Sequence, residues 1–415
     1  MRRLFLIALL CLLPATAMAT AHTVGAAGAD KCDGNPCDFT SMVTCFTALG
    51  NGDTIDSYGP YGESNVTITS ALGAAVTGVV WVHHGGDYTF DGTGGTGVFM
   101  ALGAGNTGWT IEANDGTGRV VVTGYIGANP FVVTGASNTV GGFRLTANGA
   151  AGVAQVTAIA TGNSVTLDDI LIDNPVDPTN QNWTGIYLNG GSGNVVSGCT
   201  VEDVAITGAT KNAFVVAMLP TTVAPTIDGL LARNMTATGQ VKAVDAVGPA
   251  GGGYVTIQNS TVYGLASGTL GYSFLLYQRS GLLRSLLAYD ITAQANQSQP
   301  IRIETAVVDP VLSDTIVENC TVVGGNYAIT IVTPPTVGSR TVRNCISSGA
   351  SVAEFYSGAG AVATSLNNCA ATGKWSANFP NGATDLSVDC GFEDAANDDY
   401  SLAVDSVCID SGLWI

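Results

Sequence analysis

The sequence predicts an all-β chain coiled as a parallel β-solenoid. Three observations carry the prediction: a short phrase that recurs along the chain, apolar residues that alternate with period two between its occurrences, and Gly- or Asn-rich corners. The phrase reads apolar, any residue, small polar, apolar, any, apolar. It occurs as VGGFRL, LDDILI, VSGCTV, ARNMTA, IQNSTV, LRSLLA, VENCTV, VRNCIS and LNNCAA. Its third position is Gly142, Asp169, Gly198, Asn234, Asn259, Ser285, Asn319, Asn344 and Asn368. These positions lie roughly 25 to 35 residues apart, the length of one solenoid turn. Gly, Asn, Asp and Ser are the residues that tolerate tight turns and left-handed backbone.

Within each turn the apolar residues alternate, as in Ile186/Leu188, Phe214/Val216, Ile301/Ile303 and Ile329/Ile331. That is the period of a strand, not of a helix. Turns stacked about 4.8 Å apart would pile such residues into one continuous core. A recurring corner Asn can hydrogen-bond the Asn above and below it, satisfying amides that would be costly to bury unpaired. The residue after the corner points inward, so Cys199, Cys320, Cys345 and Cys369 read as small stacked core side chains. An oxidised neighbouring pair or a metal site are the competing readings, and no C-x-x-C supports the second.

The first residues, MRRLFLIALLCLLPATAMA, read as a secretory leader spanning 1–19: a basic start, a short apolar run and an A-x-A-like cleavage site. No later stretch is apolar for long enough to cross a bilayer. A secreted, periplasmic or cell-surface protein is therefore expected. The net charge is −18, which excludes nucleic acid and anionic lipid as natural partners. Only 11% of residues are charged and 46% are hydrophobic, enough for a large core. Cys32, Cys37 and Cys45 cluster near the N-terminus, where a disulfide is expected outside the cytoplasm. Loss of Cys11 with the leader would leave an odd number of cysteines, so at least one is free or paired between molecules.

At both ends the chain resembles secreted right-handed parallel β-helix proteins of the pectate-lyase-like superfamily. AHTVGAAGAD is similar to their opening strand, and CDFTSMVTCFTALGNGDTI to their capping helix and Gly-Asp-Thr turn. GFEDAANDDYSLAVDSVCIDSG, Gly391 to Gly412, is similar to their closing phrase. The resemblance implies a right-handed parallel β-helix of about ten turns with a short N-terminal cap helix over Phe39 to Leu49. It divides the chain into the leader, a strand and cap at 20–50, the β-helix at 51–385 and a C-terminal tail at 386–415. Members end in serine-proline-alanine-isoleucine-aspartate where this chain has Ser406-Val407-Cys408-Ile409-Asp410, so a bond from Cys408 to Cys390 is expected.

The resemblance also implies an extracellular polysaccharide as partner, lying along a strand sheet in a groove walled by long turns. Two turns are long: Gly198 to Asn234, carrying LPTTVAPT, and Ser285 to Asn319, carrying AQANQSQP. Aligning strands by their inward residues places Asp245, Tyr277, Arg302 and Glu304 outward on three consecutive turns, with Lys242 and Arg279 beside them. Asp245 and Glu304 suit paired carboxylates acting on a sugar. In a lyase, Arg302 or Arg279 would neutralise a uronate or take its proton, and Tyr277 would protonate the leaving oxygen. Asp245 and Glu304 are also the candidate ligands for Ca²⁺. YQRSG, Tyr277 to Gly281, is similar to an Arg-x-Gly element of alginate-lyase β-helices, whose other motifs are absent.

Other polar groups read as structural. His83 and His84 are adjacent in a strand and face opposite ways, which makes joint chelation awkward. Asp168, Asp169, Asp173 and Asp177 fit a Ca²⁺ corner but are also ordinary turn residues. No phosphate loop, G-x-S-x-G elbow or H-E-x-x-H occurs. Two functions remain: a polysaccharide lyase or glycoside hydrolase, and a non-catalytic adhesion or structural β-helix protein. A monomer is expected in either case.

Overall fold

A computed structural model describes residues 20–25, 38–64, 68–69, 76–92, 99–126, 131–148, 155–160, 162–173, 182–208, 210–219, 221–248, 254–294, 297–304, 314–332, 339–358, 363–371, 373–379 and 381–408. The proposed leader, Cys32, Cys37 and Asp177 lie outside the described residues.

Strands of three kinds follow one another around each turn. Sheet 1 contains Val195–Ser197, Thr226–Asp228, Val255–Gln258, Gly281–Arg284, Thr315–Glu318 and Arg340–Arg343. Sheet 2 contains Thr200–Ile206, Leu231–Ala237, Thr261–Ser267, Leu287–Ala293, Thr321–Val323 and Ile346–Ser348. Sheet 3 is an 11-stranded stack that includes Ala213–Met218, Val241–Val247, Gly271–Tyr277, Ile301–Glu304 and Tyr327–Ile331. Neighbours in each stack are parallel and in register from one turn to the next. The expected parallel β-helix is therefore the observed fold. At the N-terminal end the long strands Thr54–Ser64 and Val80–Asp91 run through sheets 1 and 2 and join them.

The register explains the core. Ile172, Val201, Ala232, Val262, Ala288 and Val322 form one inward column on sheet 2, each fully buried. Ile186, Val216, Val244, Phe274, Ile301 and Ile329 do the same on sheet 3. Burying each larger apolar side chain contributes roughly 1.5–3 kcal/mol.

The corner between sheets 1 and 2 is a column of left-handed residues: Gly142, Asp169, Gly198, Gly229, Asn259, Ser285, Asn319, Asn344 and Asn367. Asn344 Nδ2 donates to Asn319 Oδ1 at 3.2 Å, one rung below. Two expected members are displaced. Asn234 (φ 55°) belongs to a second left-handed column inside sheet 2, with Asp203, Gly264 and Asp290. Its phrase, ARNMTA, matches because a left-handed residue followed by a buried apolar one occurs at both kinks. The turn that starts at Gly198 therefore ends at Gly229. Asn368 is also not the corner residue, because Asn367 takes the left-handed position. Asn368 is fully buried, accepts from Cys345 N (2.9 Å) and donates to Val342 O (2.8 Å) and Ser365 Oγ (2.9 Å).

The cysteines follow from the same register. Cys199, Cys320 and Cys345 come after a left-handed residue and point inward, but Leu230, Ser260 and Leu286 occupy the rungs between the first two. Burial pushes the Cys199 thiol up to about 12. Cys369 is one residue out of step and aligns with Ile346.

At the N-terminal end, strand Ala21–Val24 lies parallel on the first rung. The cap helix is Met42–Ala48, inside the expected span, because Phe39 forms a bridge with Val24 instead. Glu63, on the first rung, accepts from Met42 N (2.8 Å) at the helix N-terminus, where unpaired amides favour a carboxylate. Phe46 packs on Trp81 and Trp109 and closes the core. Cys45 is a buried thiol on this helix, pushed up to about 12 by burial first and then by Asp38 and Asp53. At the other end Cys390 and Cys408 are bonded, as expected. Between them an antiparallel hairpin, Phe392–Asp394 with Asp399–Leu402, lays Tyr400 on Tyr289 (4.7 Å between ring centroids).

Candidate functional site

The register of sheet 3 aligns Asp245 with Leu275 and Arg302, and Val247 with Tyr277 and Glu304. Asp245, Tyr277, Arg302 and Glu304 thus stand on one outer face over three consecutive rungs. On the first of these, Ala243 and Val244 are both buried, which breaks strict alternation and turns Lys242 outward as well. Lys242 aligns with Phe214 on one side and Tyr272 on the other. Reading two outward positions per strand misses Tyr272. Only the break in alternation gives it a place on this face.

The charged groups are tied to one another in two pairs. Lys242 Nζ lies 3.1 Å from Asp245 Oδ2 and over the rings of Phe214 (5.2 Å) and Tyr272 (5.9 Å). Arg302 donates through Nε (2.9 Å) and Nη2 (2.6 Å) to Glu304 Oε2, and through Nη1 (2.6 Å) to Gln299 Oε1. Its guanidinium also sits 5.5 Å from the Tyr272 ring centroid. Tyr272 is therefore clamped between two cations, an arrangement that gains more as water is excluded. Burial raises its phenol, against the nearby Arg302, and keeps it neutral.

Asp245 is the most buried acid of this face. Its Oδ1 is buried without a hydrogen-bond partner. Burial raises its carboxyl above the usual range, and Lys242 only partly offsets this. A desolvated acid beside one specific charge is what acid–base chemistry needs, although structural ion pairs produce the same signature.

Asp245 and Glu304 are two rungs and two residues apart, on the order of 12 Å between backbones. A shared Ca²⁺ would have to compete with Lys242 for one carboxylate and with Arg302 for the other. Among the described residues, the metal-ligating side chains that converge in a group of three are Cys369, Cys390 and Cys408.

Arg279 does not join this face. It is fully buried and donates from Nε to Val247 O (3.0 Å) and from Nη2 to Leu219 O (2.9 Å), stitching successive turns together. Burial lowers its guanidinium to about 10. A Cβ on Gly248 would lie 2.4 Å from Arg279 Cγ, so the glycine makes room for the arginine.

The remaining polar candidates are absorbed by structure. His83 is fully buried, donates from Nε2 to Gly86 O (2.9 Å) and accepts at Nδ1 from Ser57 Oγ (3.1 Å). His84 faces the other way, bonded to Asp56 (2.8 Å) and stacked on Tyr58. Asp169 is held by Arg119 and Asn114, and Asp173 by Arg144 and Thr146.

No protein-family model matches the sequence, and no curated protein matches it. Three solved structures are similar. Pectate lyase Pel9A aligns at TM-score 0.47 and 14% identity, over 96% of this chain and 92% of that one. An endo-xylogalacturonan hydrolase from Aspergillus tubingensis aligns at 0.38 and 13%, over 89% and 100%. The catalytic unit of a thermostable α-1,3-glucanase from Streptomyces thermodiastaticus aligns at 0.34 and 10%, over 77% and 65%. The parallel register of this chain's own strands, not these alignments, establishes its fold.

Proposed function

We propose that this chain is an exported, monomeric β-helix protein that engages extracellular polysaccharide on the outer face of sheet 3. The observation that supports it is Arg302, held on three sides by Glu304, Gln299 and the Tyr272 ring. A guanidinium fixed in advance loses little freedom when it donates to sugar hydroxyls. Glu304 and Gln299 beside it add acceptors, and Tyr277 adds a ring one rung away. Lys242 and Arg302 are already neutralised by carboxylates, so the face favours a neutral or weakly acidic glycan over a dense polyanion.

Asp245 favours a second, catalytic reading. A carboxyl whose hold on its proton is strengthened by burial could act as acid toward a glycosidic oxygen, as a hydrolase or lyase requires.

Titrating the purified protein with a panel of neutral and uronate polysaccharides tests both. Binding of at least one polymer, weakened roughly tenfold in Arg302→Ala, is expected from loss of a charge-assisted contact. Absence of binding across the panel would overturn the proposal. New reducing ends or an unsaturated product, lost in Asp245→Asn, would establish catalysis. Binding without either product would leave the face a recognition surface.

A further inference from the structure

The sulfur atoms of Cys369, Cys390 and Cys408 all lie within 4.8 Å of one another, and all three residues are buried. Cys390 and Cys408 form the disulfide, while Cys369 carries a thiol. The three come from two different parts of the fold. Cys369 is on the last rungs, paired in register with Ile346 on one side and Leu386 on the other. Cys390 and Cys408 both belong to the tail, 18 residues apart. Their bond therefore closes the tail on itself and makes no covalent link to the β-helix. Ile346, Leu386 and Leu402 pack around the sulfurs and shield them from solvent.

We propose that Cys369 is a built-in exchange partner of this disulfide, able to convert a clip within the tail into a covalent bond between tail and solenoid. The Cys369 thiol loses its proton and the thiolate attacks Sγ of Cys390 or Cys408. A new sulfur–sulfur bond forms to Cys369 as the Cys390–Cys408 bond breaks. The displaced cysteine leaves as a thiolate and takes up a proton. One disulfide and one thiol are present before and after, so no oxidant or reductant is consumed. The apolar packing hinders small-molecule thiols while leaving the internal thiol in contact range, so isomerisation is favoured over reduction. The exchanged form ties the tail, whose hairpin lays Tyr400 on Tyr289, to the last rungs of the solenoid, making the tail a fixed cap.

The test uses the full folded protein. It is held at mildly alkaline pH, quenched with acid, unfolded, alkylated and mapped by proteolysis and mass spectrometry, with circular dichroism confirming that the fold persists. Label shifting from Cys369 to Cys390 or Cys408 is expected. Two variants, Cys408→Ser and Cys390→Ser, give an independent test. With oxidised glutathione they should form Cys369–Cys390 and Cys369–Cys408 bonds, respectively. Among these three cysteines, label confined to Cys369 in the native chain, together with two unlinked thiols in both variants, would overturn the proposal.

Discussion

Lys242 Nζ stands 3.1 Å from Asp245 Oδ2, and the two side chains are only 12% and 11% exposed. Both charges have left most of their water, so each depends on the other. Lys242→Met leaves a buried carboxylate without its cation and should destabilise the protein by roughly 3 kcal/mol. Adding Asp245→Leu should restore much of that loss, because a matched apolar pair carries no desolvation penalty. Urea denaturation of the single and double variants measures both effects. A Lys242→Met protein that unfolds at the native urea midpoint would show the pair to be inert.

Asp53 and Asp245 should respond to pH in opposite directions. Burial pushes the Asp53 carboxyl up, but the Gly50 and Thr20 amides and His22 outweigh it and lower it. Its stabilisation is therefore present above the unfolded value of about 3.9 and is lost as pH falls through the lower folded value. Asp245, raised by burial, binds its proton more tightly when folded. Its contribution is largest in acid and declines as pH rises from about 3.9 through its raised folded value. Asp53→Asn should lower Tm near neutral pH more than in acid. Equal losses at both would refute the assignment.

Two neighbouring kinds of asparagine should behave differently. Asn344 holds a left-handed backbone (φ 52°), so Asn344→Gly should stay within about 1 kcal/mol, whereas Asn344→Val adds backbone strain of roughly 1–2 kcal/mol. Asn368→Ala removes the partners of a buried amide and a buried carbonyl and should cost roughly 2–3 kcal/mol. If Asn344→Gly proved the more damaging of the two, the corner assignment would be wrong.

The tail hairpin rests on aromatic contact. Tyr263 and Tyr289 stack 4.8 Å apart, Tyr400 covers Tyr289, and Phe392 meets Tyr400 edge-on. Tyr400→Ala removes two of these contacts, worth about 0.5–1.5 kcal/mol each. Limited proteolysis should then cut within residues 391–402 sooner, leaving the rungs intact. Unchanged cleavage there would show that the disulfide alone holds the hairpin.

The chain's own pattern determined the solenoid and the outward face carrying Asp245, Tyr277, Arg302 and Glu304, while the cap helix followed from the resemblance of its N-terminal phrase. Period-two alternation and left-handed-tolerant corners are local properties, and parallel stacking repeats them on every rung. Tertiary structure alone decided where the pattern slips: Asn234 in a second kink, Asn367 instead of Asn368 at the corner, Tyr272 exposed to Lys242 by a broken alternation, and Arg279 turned into the wall. Each is an offset of one or a few residues. Sequence cannot register such an offset, because the side-chain period is two and a single-residue slip exchanges inside for outside. Only the hydrogen bonds between neighbouring rungs fix it.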